Sequence, residues 1–147
     1  MKNKFINFIP LFILFFFLNF FNRALLGNEI NIDKYISSGP LAGAIYYTKE
    51  SPGRWLGLSE PHIPDIKIEK NIIEVHSPHE MRGFEHYIVK HIIMDEKFRI
   101  ISEKIFDATK DIPLSKHDVS GYFGNIYILS VCNLHDTWLT IKKIVQN

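Results

Sequence analysis

Short apolar runs divided by turn residues limit what this chain can become. "DIKIEKNIIEV" (Asp65 to Val75) carries two β-branched runs on either side of Lys70 and Asn71. "HYIVKHIIM" and "KFRIISEKIF" are joined across Asp95 and Glu96, and "GYFGNIYILSVC" and "TWLTIKKIV" follow, with Gly121 and Gly124 as breakers. Apolar, β-branched runs of this length between turn residues read as strands, and no segment after residue 27 holds a helical period long enough to compete. Short strands at this spacing predict an all-β antiparallel sandwich or barrel. At 147 residues and 46% hydrophobic, the chain is long enough for one domain with a true core and too short for two.

The N-terminus follows a different rule. Lys2 and Lys4 precede an almost unbroken apolar run from Phe5 to Phe21 without an acidic residue, the order of a charged region followed by a hydrophobic one. Residues 1–27 are expected to form a signal peptide, a hydrophobic helix that directs export to the periplasm or outside the cell. The alternative is a retained membrane anchor through residues 5–21, since the run approaches spanning length and "NRALLGNE" offers no clean small-x-small cleavage site. Without residues 1–27, which carry Lys2, Lys4 and Arg23, 17 basic residues fall to 14 against 16 acidic ones. A net charge near −2 argues against a nucleic-acid partner.

Residues 28–54 are punctuated by Gly39, Pro40, Gly43, Pro52 and Gly53, which predicts an irregular lead-in with at most a short helix at Ile32 to Ile36. The residues themselves suggest no task for it.

Cys132 is the sole cysteine, and one thiol cannot make an internal disulfide. Seven histidines accompany it: His62, His76, His79, His86, His91, His117 and His135. In a sandwich, residues at turns and strand ends converge although distant in sequence, and borderline metals take imidazole and thiolate together. "CNLH" places Cys132 and His135 within one turn, and "HEMRGFEH" puts His79 and His86 at the two ends of one loop.

The blocks "EPHIP" (Glu60 to Pro64), "SPHEMRGFEHYI" (Ser77 to Ile88) and "CNLHDTW" (Cys132 to Trp138) occur in the order found in the iron domain of superoxide reductases, the neelaredoxin and desulfoferrodoxin family, whose blocks read roughly EKHVP, PHPMxxEHYI and CNxHGxW. The region from Trp55 to Ile144 resembles that domain. The resemblance implies an immunoglobulin-like, seven-stranded antiparallel β-sandwich over residues 55–147. It further implies one mononuclear non-haem iron, cycling between Fe2+ and Fe3+, with His62, His79, His86 and His135 as equatorial ligands and Cys132 as axial thiolate. Glu60 matches the family's acidic residue at the catalytic site. The reaction implied is one-electron reduction of superoxide to hydrogen peroxide, with the electron supplied by an external donor such as a rubredoxin-like protein. A homo-oligomer is the expected assembly. A non-catalytic iron sensor or one-electron carrier built on the same centre is the competing reading; a structural zinc site fits less well, since such sites are four-coordinate and closed.

Three departures from the family pattern bear on this. The His79 to His86 loop is one residue longer, with Gly83 or Phe84 as the insertion, which makes His76 a rival to His79. Asp136 stands where the family has glycine, and aspartate is among the few residues that tolerate positive φ. Pro61 replaces the lysine that attracts the anion; Arg82 and Lys90 read as ordinary solvated charges, with help in attracting the anion as the alternative. His91, five residues beyond His86, is expected on the opposite sheet face, and His117 in a polar segment; neither is expected to be a ligand.

Overall fold

The computed structural model describes residues 31–145. Residues 1–27, read above as signal peptide or anchor, lie outside the described residues. Among the described residues, no helix is long and apolar enough to cross a membrane.

After a short helix α1 (Ile32–Ser38) come seven strands: β1 (Asp65–Glu69), β2 (Ile72–His76), β3 (Ile88–Asp95), β4 (Ile100–Ile105), β5 (Leu114–Asp118), β6 (Gly124–Cys132) and β7 (Asp136–Ile144). They form two antiparallel sheets, one of three strands ordered β1-β2-β5 and one of four ordered β4-β3-β6-β7. The all-β sandwich expected from the strand spacing is the architecture found. Lys70 and Asn71 make the tight turn of the β1–β2 hairpin, with Glu69 paired to Ile72 and Lys70 at φ 54.

Alternating residues of β6 show how the core is built. Ile126, Ile128, Ser130 and Cys132 share one buried face, as period-two geometry requires. The first two join Ile73 and Val75 of β2, Ile93 of β3, Val119 and Ile144 in an apolar cluster. Tyr127 and Leu139 belong to a second cluster with Ile36 of α1. The lead-in thus acquires a role: α1 packs on the four-stranded sheet, and Tyr47 adds to β7 by donating its amide to Thr137 O and accepting from Leu139 N, both at 2.8 Å.

Strand β5 corrects the sequence reading. The polar segment around His117 is a strand whose inward positions are Ser115 and His117, both buried, so hydropathy alternation could not mark it. His91 is equally unexposed, in the core, and a register irregularity between Ile88 and Lys90 explains why Ile88 and His91, of opposite parity, both turn inward. The two imidazoles belong to a chain of hydrogen bonds between the sheets. Ser130 Oγ meets Ser77 Oγ at 2.7 Å and Ser77 meets His91 Nε2 at 3.0 Å. His91 Nδ1 meets Ser115 Oγ at 2.7 Å, Ser115 meets His117 Nε2 at 2.8 Å, and His117 Nδ1 meets Ser102 Oγ at 2.8 Å. Each group has one proton and an acceptor to spare, so every bond is satisfied without charge.

Candidate metal centre

Past the apolar cluster, the inward row of β6 ends in Cys132, and the chain beyond β2 continues through buried Ser77 to buried His79. His62 sits in a turn where its amide and that of Ile63 both donate to Ser59 O. His79 and His86 flank the loop between β2 and β3, which contains a 3-10 turn at Gly83–Glu85. His135 belongs to the three-residue connection from β6 to β7, closed by the Cys132 and Asp136 pair. Such a turn followed by one left-handed residue is a common hairpin solution, and Asp136, at φ 62, is that residue.

The structure brings His62, His79, His86, Cys132 and His135 together, with one donor atom from each lying within 4.8 Å of all the others. Three imidazoles present Nε2 and one presents Nδ1. His62 Nε2 is 3.0 Å from His135 Nδ1, His135 Nδ1 is 3.0 Å from His86 Nε2, and His86 Nε2 is 2.9 Å from His79 Nε2. Cys132 Sγ stands 3.7 Å from both His79 Nε2 and His135 Nδ1. Nitrogens about 2.1 Å from a shared ion lie about 3 Å apart when adjacent, so the spacing fits a common ion.

Proton placement supports the same arrangement. His62 Nδ1 donates to Leu58 O at 2.6 Å and His79 Nδ1 to Glu80 O at 2.5 Å. With both ring protons spent outward, the Nε2 lone pairs point inward, as a metal requires. Burial, reinforced by the neighbouring imidazoles, pushes His79 down to about 4. Burial likewise lowers His62 and His86, so these rings are neutral at neutral pH. The Cys132 thiol is pushed up by burial, which leaves it protonated until a cation displaces the proton.

Asn133 ties two ligand loops together, a role the sequence reading did not assign although the residue lies inside the "CNLHDTW" block. Its Oδ1 accepts from Tyr87 N at 2.9 Å, and its Nδ2 donates to Phe84 O and Glu85 O, each at 3.2 Å. Trp138 stacks on His62 with centroids 5.6 Å apart and donates its indole N–H to His135 O at 2.9 Å. Arg54 and Trp55, from the 3-10 turn Gly53–Trp55, also reach the centre, and nothing in their sequence context pointed to it. Both donate to Asp136 Oδ2, at 2.5 and 2.9 Å.

The other expected residues lie apart. Glu60 is exposed in the turn before His62, without a hydrogen bond or ion pair among the described residues. His76, at the end of β2, is exposed and outside the cluster. Arg82 Nη2 stands 3.2 Å from His86 Nδ1 and pairs with Glu80 at 3.2 Å, whereas Lys90 pairs with Glu103 at 3.4 Å.

No protein-family model and no curated protein matches the sequence. Solved structures do match. A superoxide reductase (neelaredoxin) from Ignicoccus hospitalis is 21% identical with a TM-score of 0.54, over 69% of this chain and 95% of that one. A point variant of the same neelaredoxin is 20% identical with a TM-score of 0.60, over 69% of this chain and 94% of that one. The 1Fe superoxide reductase of Giardia intestinalis is 16% identical with a TM-score of 0.52, over 58% of this chain and all of that one. The chain has the fold of the superoxide reductase iron domain.

Proposed function

We propose that this protein is an iron-containing superoxide reductase. The observation that carries the reading is the convergence of four imidazoles and one thiol, from three separate loops, on one point. Mixed imidazole and thiolate donors suit iron, and a fifth donor exceeds the closed four-coordinate set of structural zinc. Iron held there supplies the one-electron reduction of superoxide, whose product after protonation is hydrogen peroxide.

The chain's own residues prepare the centre. Leu58 O and Glu80 O hold His62 and His79 with their lone pairs inward, and Asn133 fixes the His86 loop against the Cys132 turn. Cys132 gives up its proton to bind, so loading releases acid. Two cations border the ligands, Arg82 at His86 and Arg54 beside Asp136, each paired with a carboxylate that mutes its pull on an anion. With Pro61 at the family's lysine position, anion capture is weaker than in lysine-bearing relatives. That same observation favours the second reading, a one-electron carrier or redox sensor using the same iron. In either case the reading calls for an external one-electron donor, such as a rubredoxin-like protein. The apolar run at residues 5–21 supports export or membrane attachment; N-terminal sequencing of the mature protein tests it, with a start between Ala24 and Asn31 expected after cleavage.

Metal content and visible absorption test the centre: one iron per chain and a cysteinate-to-iron charge-transfer band that Cys132→Ser abolishes. A variant that keeps the band refutes the thiolate assignment. Stopped-flow mixing of reduced protein with superoxide then separates the readings. An enzyme oxidises quickly with stoichiometric peroxide, whereas a slow, peroxide-free reaction of fully loaded protein leaves the carrier.

A further inference from the structure

Three of the four clustered imidazoles have a polar partner on the nitrogen that faces away from the shared point: Leu58 O for His62, Glu80 O for His79 and Arg82 for His86. His135 is the exception. Its Nδ1 faces the cluster, and its Nε2 has no hydrogen-bond partner among the described residues. What meets that ring from outside the cluster is Trp55, edge-on at 4.8 Å between centroids with an interplanar angle of 88°.

Trp55 is itself held. Its indole N–H donates to Asp136 Oδ2 at 2.9 Å, and the Arg54 guanidinium, which donates to the same oxygen, lies 5.0 Å from the Trp55 ring centroid. Tyr47, buried between Trp55 and Trp138 at 6.4 and 5.6 Å, backs the indole. A ring packed on three sides and hydrogen-bonded at its polar tip has little freedom to move.

We infer that Trp55, pinned by Asp136, is the positioning residue of His135, doing by aromatic packing what a backbone carbonyl does for His62 and His79. Through Arg54 and Tyr47, which hold the indole, the lead-in is tied to the metal centre, and the carboxylate at the family's glycine position becomes the anchor of Trp55. The inference rests on the metal-centre reading for its consequence, though the pinning of Trp55 can be observed without metal.

The test uses the full chain and two probes. Of the two tryptophans, Trp138 is fully buried and Trp55 half-buried, so iodide quenching of fluorescence in the metal-free protein reports Trp55. Asp136→Gly keeps the positive φ and removes the acceptor. Quenching is expected to rise while the unquenched Trp138 fraction stays, which also shows that the variant is folded. Co2+ binding is expected to weaken about 10-fold in Asp136→Gly and Trp55→Ala, the loss typical of outer-shell partners. Its visible ligand-field bands should shift in both, and Trp55→Phe, which keeps an aromatic ring but cannot donate to Asp136, should fall between wild type and Trp55→Ala in affinity and bands. Unchanged quenching in Asp136→Gly overturns the pinning. Wild-type Co2+ affinity and spectrum in Trp55→Ala overturn the positioning role. A wild type that binds no Co2+ overturns both the metal-centre reading and that role, and the quenching result tells this apart from failure of the pinning alone.

Discussion

Acidification should destabilise this protein through a histidine that has no part in the metal centre. His91 is fully buried between the sheets, and that burial, reinforced by His117 and His76, pushes it down to about 3. In the unfolded chain it titrates near its ordinary value of about 6.5. Between those values the unfolded state carries a proton that the folded state refuses, so stability rises with pH and is lost as pH falls below 6.5. The slope for one such group is about 1.4 kcal/mol per pH unit, so lowering the pH from 6.5 to 4.5 removes about 2 to 3 kcal/mol. That is a large part of the total for a domain worth roughly 5 to 15 kcal/mol. His117, also lowered by burial, acts in the same direction. His91→Gln keeps a two-ended polar side chain between Ser77 and Ser115 but cannot charge. It should cost about 1 to 3 kcal/mol at pH 7 through poorer hydrogen bonds, and its deficit should shrink or vanish by pH 4.5. Urea unfolding of both metal-free proteins at pH 7, 6, 5 and 4.5 measures this, and the titration of the clustered histidines cancels in the difference. Parallel stability profiles between pH 6.5 and 4.5 would refute the reasoning.

Three further outcomes are expected. His79→Ala should lower iron occupancy far more than His76→Ala, since His76 lies exposed outside the cluster; equal losses by metal analysis would argue against the ligand set. Asn133→Ala removes the bonds to Tyr87, Phe84 and Glu85 and should weaken metal binding about 10-fold, measured by chelator competition. Pro61→Lys adds a cation worth about 0.8 to 3 kcal/mol at 5 to 6 Å from an anion, which would raise the second-order rate with superoxide roughly 4- to 100-fold, less at high salt. An unchanged rate at full iron loading would mean that Arg82 or Arg54 already fills the role or that superoxide is not the substrate, and salt dependence of the wild-type rate decides between them.

Six of the seven strands could be read from the sequence because their inward positions are apolar and β-branched, as Ile73, Val75, Ile126 and Ile128 illustrate. β5 could not, because its inward face is Ser115 and His117, and the partners that make those residues compatible with a core come from β3 and β4. The irregularity between Ile88 and Lys90 hid the inward turn of His91 in the same way. At the centre, the histidines and the cysteine were legible through local blocks. Trp55 and Arg54 were not: their partner Asp136 lies more than 80 positions away, and no local pattern encodes that contact.

The ligand set also has a topological meaning. His62 and His135, 73 positions apart, close on one point together with residues from between the strands of both sheets. An ion bound there is a covalent-like staple in a chain whose only cysteine is free. Unlike a disulfide, this staple is set by supply rather than by redox compartment. Each tenfold rise in free metal above the dissociation constant adds about 1.4 kcal/mol to the folded state, and a metal-starved cell would hold the same polypeptide in a looser, more protease-sensitive form.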